Sequence, residues 1–394
     1  MVKKRVYFSG CLNPAGSIFT HFALSKFPRL TGILLVVLFS TLALTALGQA
    51  PAARAEFSKN TLLGMAYLNN EYDMELGRAY DSWLGKNRAV IGTFTNWEPD
   101  QIPSFFSEQL PNIWAAHAVP LIAWQPFFYQ TPPSKLDAVI AQGRYDAYIN
   151  HWADNLKTFL SGPDGIYGGN DDRRVYLRMA PEMNCQCYAW GAAGTANTPA
   201  DYIDMWRHVH GIFDSKGLNS NHLQWLWTVD DGDAGGYRAE QYYPGDAFVN
   251  WVGVDSYNWG TSQDWSSWLT PEEAYTPMLT RLRALTSKPV VAAEVSSSTA
   301  GGTIAMKSNW IASFLNYATT NNIQMICWFN IDQDTDWMIF GGAKGDAVYN
   351  YNGRSYNVYS KYKQAAQSSN FIGTAPGHPR LLTDLQFSGG LVWH

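Results

Sequence analysis

Short runs of β-branched and aromatic residues recur along the chain. Each is followed by a polar loop and then by a stretch whose apolar positions return every three or four residues. Eight such runs predict strands over 62–68, 89–95, 120–126, 175–180, 223–228, 251–257, 289–295 and 325–330. The intervening pattern predicts helices over 71–86, 101–116, 135–160, 199–216, 272–286 and 305–321, while 230–249 is at best weakly helical. Thr198-Pro199 and Thr270-Pro271 are start signals, an N-cap followed by proline in the first turn, and Gly217 is a stop signal. Strands alternating with helices imply parallel β-structure with right-handed crossovers. Eight such units predict an α/β fold, a closed (β/α)8 TIM barrel, as one catalytic domain over 56–367. The strands are almost continuously apolar, as expected when both faces are covered. In such a barrel, chemistry sits at the C-terminal strand ends and on the loops that follow.

The first 55 residues differ in kind. They hold no Asp or Glu but six cations, then an uncharged apolar run over 31–47 and a small-residue site ending at Ala53 and Ala55. That order predicts an export signal cut after Ala55 and a secreted or periplasmic protein. The alternative is a retained N-terminal anchor, since a run of this length just spans a bilayer; a membrane is a partner only in that case.

Composition narrows the class. The 394 residues are 46% hydrophobic and 15% charged, which excludes a disordered chain. A net charge of -5, which becomes -11 once the basic leader is set aside, counts against a nucleic-acid partner. A core can absorb many of the 17 Trp, 22 Tyr and 19 Phe, but such a count also suits a surface that stacks flat apolar rings. Beyond the leader, Cys185, Cys187 and Cys327 allow at most one disulfide. Cys185 and Cys187 are close in sequence, so a bridge from Cys327 to one of them is expected, against an alternative of three inert thiols. The cysteines lack the spacing and fourth ligand of a zinc site, and no metal or cofactor is expected.

Four strand ends carry chemical text. The fourth ends LRMAPEMN, with Glu182 just past the apolar part; the sixth ends VDSYNWG, with Asp255 and Tyr257; the seventh, KPVVAAEVSSS, has Glu294 within it; the eighth, MICWFN, ends at Trp328. A glutamate inside a buried strand costs several kcal/mol unless it is compensated. The bland explanation is a structural ion pair with an arginine such as Arg178. The alternative is a partnership of Glu182 and Glu294 across the barrel mouth. Two carboxyls there, amid aromatics, suit glycosidic cleavage, one protonated to donate to the leaving oxygen and the other ionised to attack the anomeric carbon.

LRMAPEMN with Trp190 after it, YYPGDAFVNWVGVDSYNWG, KPVVAAEVSS and CWFN, in that order over about 60–340, resemble glycoside hydrolase family 26 of the clan-A barrels. The resemblance implies a retaining endo-β-glycanase with Glu182 as acid/base and Glu294 as nucleophile. It implies Tyr257 as the hydroxyl bonded to the nucleophile, and Trp190 and Trp328 as sugar platforms. Arg178, Asn184, Trp124 and Asp255 complete the expected substrate-binding set, with a polysaccharide as partner and the chain acting as a monomer. Pro181, Cys185 and Phe329 stand where the mannan-cleaving members typically carry His, Gly and Arg. These departures favour β-glucan, including mixed-linkage 1,3-1,4-glucan, with mannan endo-1,4-β-mannosidase as the alternative. Two rivals remain: a non-catalytic carbohydrate-binding barrel, and an anchored processor of the cell's own exopolysaccharide.

Other signals carry less. Asp332, Asp334 and Asp336 alternate as in a calcium loop but lack its glycine and terminal glutamate, which leaves an acidic loop at the sugar cleft as the expectation, and Asp230, Asp231 and Asp233 after the fifth strand are read the same way. Of Trp97, Trp124, Trp259, Trp265, Trp268 and Trp337, near strand ends or in the loops that follow, some are expected at sugar subsites and the others in packing. The stretch 163–172 is expected to be a plain turn, with cation binding as the alternative. His208 and His210 lie on different helix faces. The tail 368–394 stays unassigned.

Overall fold

The computed structural model describes residues 56–57, 60–67 and 72–392. The expected leader over 1–55 lies outside them. Eight parallel strands form the barrel: β1 (Thr61–Ala66), β2 (Val90–Asn96), β3 (Val119–Gln125), β4 (Val175–Met179), β5 (Leu223–Asp230), β6 (Trp251–Asn258), β7 (Val290–Ser297) and β8 (Met325–Phe329). Each pairs with the next, and β1 pairs with β8 from Leu62↔Met325 to Ala66↔Phe329, which closes the ring. All eight predicted strands are present.

The helices form the outer layer: α1 (Glu75–Leu84), α2 (Leu110–Ala115), α3 (Leu136–Ala141), α4 (Asp146–Leu160), α5 (Pro199–Ser215), α6 (Pro271–Leu285), α7 (Ile304–Thr320) and α8 (Ser360–Ala366). Thr198 and Thr270 cap α5 and α6 through reciprocal bonds with Asp201 and Glu273. Gly217 follows α5 at φ 77°, a left-handed stop. The single helix expected over 135–160 is two, because Gly143 at φ 83° turns the chain between them. The helix expected over 101–116 is irregular and includes a π-turn at Phe105–Gln109, next to Pro111, which offers no N–H to the ladder. The weakly helical 230–249 holds two 3-10 turns, Ala239–Tyr242 and Asp246–Phe248.

Side chains alternate between two apolar environments. Leu121, Tyr176, Trp251, Val291, Met325 and Cys327 fill the barrel interior, whereas Ile122, Trp124, Leu177, Val252, Val254 and Ala292 pack between strands and helices. The tail unassigned by sequence packs at the N-terminal end. Leu381, Leu382 and Phe387 join the interior cluster there, and Tyr176 donates to the Phe387 carbonyl at 3.0 Å.

One disulfide joins Cys185 to Cys187, and Cys327 is free and buried, which corrects the pairing expected from sequence. The reason lies in the strands. Cys327 faces inward against Gly92, where an added Cβ would meet its sulfur at 3.0 Å, whereas Cys185 and Cys187 stand on the loop above the barrel.

Candidate active site

Period-two alternation explains most of the barrel mouth. On β4, Arg178 follows Tyr176 inward; on β6, Asp255 and Tyr257 follow Trp251 inward. The same count on β7 would point Glu294 outward, because Val291 and Ala293 already face in. A β-bulge reverses this. Between Val291 and Val295, β7 spends one residue more than β6 does between Gly253 and Ser256. Against β8 it likewise spends one more between Ala292 and Val295. The extra residue re-aims Glu294 into the mouth and returns Val295 to the outer layer.

Glu182 arrives by a different device. The turn after β4 runs through Ala180 (φ 41°), Pro181 and Glu182 (φ 55°), left-handed conformations that non-glycine residues seldom adopt. Such strain costs about 1–3 kcal/mol per residue and needs outside support. Tyr202 donates to the Ala180 carbonyl at 3.0 Å, Trp190 Nε1 to the Pro181 carbonyl at 2.7 Å, and Glu182 N–H to the Thr228 carbonyl at 3.0 Å. The turn leaves the Glu182 carboxyl over the mouth, 7% exposed.

Arg178 is the hub. Its guanidinium donates to Glu294 Oε1 and Asp255 Oδ2, its Nε donates to Thr228 Oγ1 at 2.6 Å, and Nη2 stands 3.6 Å from Glu182 Oε1. One planar cation therefore reaches both glutamates. The ion pair raised as the bland explanation for Glu294 exists, but it belongs to a site that Glu182 shares. Glu294 also accepts from Tyr257 Oη at its other oxygen, and its N–H donates to Asp255 Oδ1 at 2.8 Å. Glu182 accepts from Tyr188 Oη at 2.9 Å.

Three buried carboxyls against one guanidinium cannot all be ionised cheaply. Glu182 has the weakest hold on the cation. Burial, then the charges of Glu294 and Asp255, push its carboxyl well above the usual range, with Arg178 opposing. Burial raises Asp255 to about 6, again against Arg178. Burial works against the Arg178 charge too, but Asp255, Glu294 and Glu182 outweigh it and keep it protonated. Burial and the neighbouring carboxylates push Tyr257 and Tyr188 up, so both remain O–H donors. The asymmetry suits one proton donor and one anion.

The mouth opens into a cleft of about 310 Å³ lined by Glu182, Asp230, Asp231, Asp255, Tyr257 and Trp265 among others. Three expected sugar platforms are not on it. Trp190 is fully enclosed, stacked on Tyr188 at 4.4 Å, where it holds the strained turn. Trp124 faces the helix layer between Trp97 (4.6 Å) and Trp152 (4.4 Å). Trp328 is turned out towards Trp310, Phe314 and Tyr362, and Phe329 takes the inward place, 5.8 Å from Tyr257. Asn184 is also enclosed: its amide bonds the carbonyls of Asp230 (3.0 Å) and Gly232 (2.6 Å), anchoring the loop after β5. Asp332 does not reach the cleft either; it accepts from Met338 and Ala343 N–H on its own loop. Asp336 bonds the chain after β7 and pairs with Lys307. Sequence reasoning missed Tyr188, whose signal was position alone, after β4; Asp230, Asp231 and Asp233, read from sequence as an acidic loop at the sugar cleft, do line it.

Among the described residues, no group of three or more His, Cys, Asp or Glu is arranged to hold a metal ion, and no helix is long and apolar enough to cross a membrane.

A closed parallel barrel with two glutamates converging on one arginine at its C-terminal mouth is an arrangement that suits glycosidic cleavage. The family model described as "Glycosyl hydrolase family 26" matches residues 168–310, which contain Arg178, Glu182, Asp255, Tyr257 and Glu294. Over that segment the chain is similar to that family. It is 28% identical over 278 residues to "Endoglucanase H" of Acetivibrio thermocellus, covering 69% of this chain and 28% of the relative. It is 27% identical over 196 residues to "Mannan endo-1,4-beta-mannosidase A and B" of Caldalkalibacillus mannanilyticus, covering 44% and 36%. The chain thus spans well under half the length of these two relatives. Among solved structures, the fold is similar to a Bacillus subtilis mannanase (TM-score 0.55, 18% identity, 83% of this chain and 91% of that one). It is also similar to the catalytic domain of a Bacillus sp. JAMB-750 family 26 endo-β-1,4-mannanase (TM-score 0.57, 14% identity, 82% and 90%).

Replacing Arg178 with Ala leaves Asp255, Glu294 and Glu182 without their cation. The expected cost is about 3–5 kcal/mol of stability at pH 7, read from a chemical-denaturation midpoint. Because the raised carboxyls take up protons as the pH falls, the deficit shrinks towards pH 4. A deficit that stays constant between pH 7 and pH 4 contradicts the hub.

Proposed function

We propose that this barrel is a retaining endo-β-glycanase whose backbone substrate is β-1,4-mannan. The observation that carries the glycanase reading is the sharing of Arg178 by Glu182 and Glu294 at the head of an aromatic-lined cleft. In the first step Glu182 donates its proton to the leaving oxygen while Glu294 attacks the anomeric carbon. In the second, Glu182 draws a proton from water, which releases the sugar from Glu294. Mannan is supported by two relatives named as mannan endo-1,4-β-mannosidases, that of Caldalkalibacillus mannanilyticus and one of Bacillus subtilis, and by the mannanases among the structural neighbours. The sequence departures at Pro181, Cys185 and Phe329 lean to β-glucan instead, a lean that the relatives named as mannosidases do not back. β-Glucan remains the second reading, favoured by the 278-residue match to an endoglucanase. The basic, then apolar, N-terminal segment supports export as the route by which the enzyme meets its polymer.

The test is release of reducing ends from galactomannan, barley glucan, 1,3-xylan and cellulose by the purified chain. The expected result is a kcat/KM on galactomannan at least roughly tenfold above that on barley glucan. The reverse ranking favours the second reading, and inactivity on all four overturns the glycanase reading.

A further inference from the structure

The cleft extends beyond the carboxyl pair. From Glu182 it passes over the loop after β5 to the loop after β6, where Trp259 and Trp265 stand. Trp265 is 49% exposed, whereas Trp97, Trp124, Trp190, Trp328 and Trp337 are all 2% or less. An indole left in water on a concave wall gains little for folding and marks a contact surface. Trp265 rests edge-on against Trp259 at 5.3 Å, and Trp259 against Trp337 at 4.8 Å, so the ring is backed from behind.

The loop that carries Trp265 is tightly fixed. Gly260 and Leu269 N–H both donate to Asn258 Oδ1, at 3.3 and 3.0 Å, and Ser266 Oγ donates to the Gly260 carbonyl at 2.8 Å. Gly260 sits at φ 57°, where an added Cβ would fall 1.9 Å from the Ala300 carbonyl oxygen. This is a preset platform, which keeps the entropy cost of binding low.

The charge of this arm is one-sided. Asp230, Asp231 and Asp233 line it, and among the described residues no Lys, Arg or His does. Asp233 is paired with Arg281 at 2.9 Å, but the partners of the other two are neutral: Gly232 N–H for Asp230 at 3.1 Å, and the Ser256 hydroxyl for Asp231. Burial, then Asp231, pushes the Asp230 carboxyl well above the usual range, and burial raises Asp231 to about 6 against its Ser256 hydrogen bond. Such a wall bonds sugar hydroxyls, and above about pH 6 its Asp231 charge repels a carboxylate-bearing ring.

We infer that Trp265 is the stacking platform of a distal subsite that takes uncharged sugar rings and rejects uronic acids. The inference rests on the glycanase reading and deepens it. Its test is binding to a non-hydrolysing Glu182→Gln background, by calorimetry, of neutral β-1,4-oligosaccharides of two to six sugars cut from the preferred polymer. Adding Trp265→Ala is expected to leave the shortest ligand unchanged and to weaken the longest by roughly tenfold or more. Trp265→Phe, which keeps a flat ring, is expected to recover most of that loss. A six-sugar uronic-acid oligomer is expected to bind at least roughly tenfold more weakly than the neutral six-sugar chain. Equal loss at every length, or none at any, overturns the platform; equal binding of neutral and uronic oligomers overturns the charge selection. Should the chain hydrolyse none of the four polymers, the glycanase reading falls, while manno- and cello-oligosaccharides in the same binding series still decide this inference.

Discussion

Replacing Glu294 with Ala is expected to lower hydrolysis by about four orders of magnitude or more while the barrel stays folded. The attacking oxygen disappears, and no neighbour can take its place. Asp255 is drawn towards Arg178 on one side and the Glu294 N–H on the other, and Glu182 belongs to the opposite wall. The measurement is turnover of the preferred polymer, alongside a circular-dichroism melt to show that the fold survives. Removing one carboxyl from a cluster of three around one cation relieves crowding of charge, so no large loss of stability is expected. Turnover within a factor of ten of wild type would contradict the assignment.

The second large effect separates the two chemical steps. Glu182→Ala removes the proton donor, and polymer hydrolysis is expected to fall by roughly two to four orders of magnitude. A substrate with an activated aryl leaving group needs little protonation, so its first step should be spared. Its second step then becomes slow, because water loses its base, and added azide should restore turnover. Acidity follows the same logic. The Glu182 carboxyl is raised by burial, then by Glu294 and Asp255, and the donor is its protonated form. Polymer hydrolysis is therefore expected to decline as the pH rises through that raised value. The decline should be absent for the first step with the activated substrate. Equal damage to both substrate types, with no rescue by azide, would give Glu182 another role.

The strands were legible because both faces of a parallel barrel are covered and each strand is a dense apolar run. That same density hid which face each residue takes. Trp124, Trp190 and Trp328 were expected at the sugar, yet apolar text on both faces carries no mark of inside or outside. For Glu294 the inward direction came from the cost of burying a charge, and the expectation was right for a reason the sequence did not display. The bulge that turns it inward is one extra residue in KPVVAAEVSSS, visible only from the pairing on both sides. That register sets Trp328 beside Val295 in the outer layer, while plain alternation along β8 from Met325 and Cys327 brings Phe329 to the mouth. Tyr188 lies in a loop, where no periodicity points a side chain, and for the same reason Trp265 could be named from sequence only as one of several tryptophans shared between sugar subsites and packing. The role of Trp190 under the strained turn needed the φ values of Ala180 and Glu182, which an Ala-Pro-Glu sequence does not announce.

The most direct test of Glu294 and Glu182 acting on one anomeric centre is covalent capture. The enzyme is incubated with a 2-deoxy-2-fluoro glycoside of its preferred sugar bearing an activated leaving group, which slows the second step more than the first, and is then digested for peptide mass mapping. The account predicts one glycosyl label per chain, on Glu294. A label on Glu182 or Asp255 instead would contradict it.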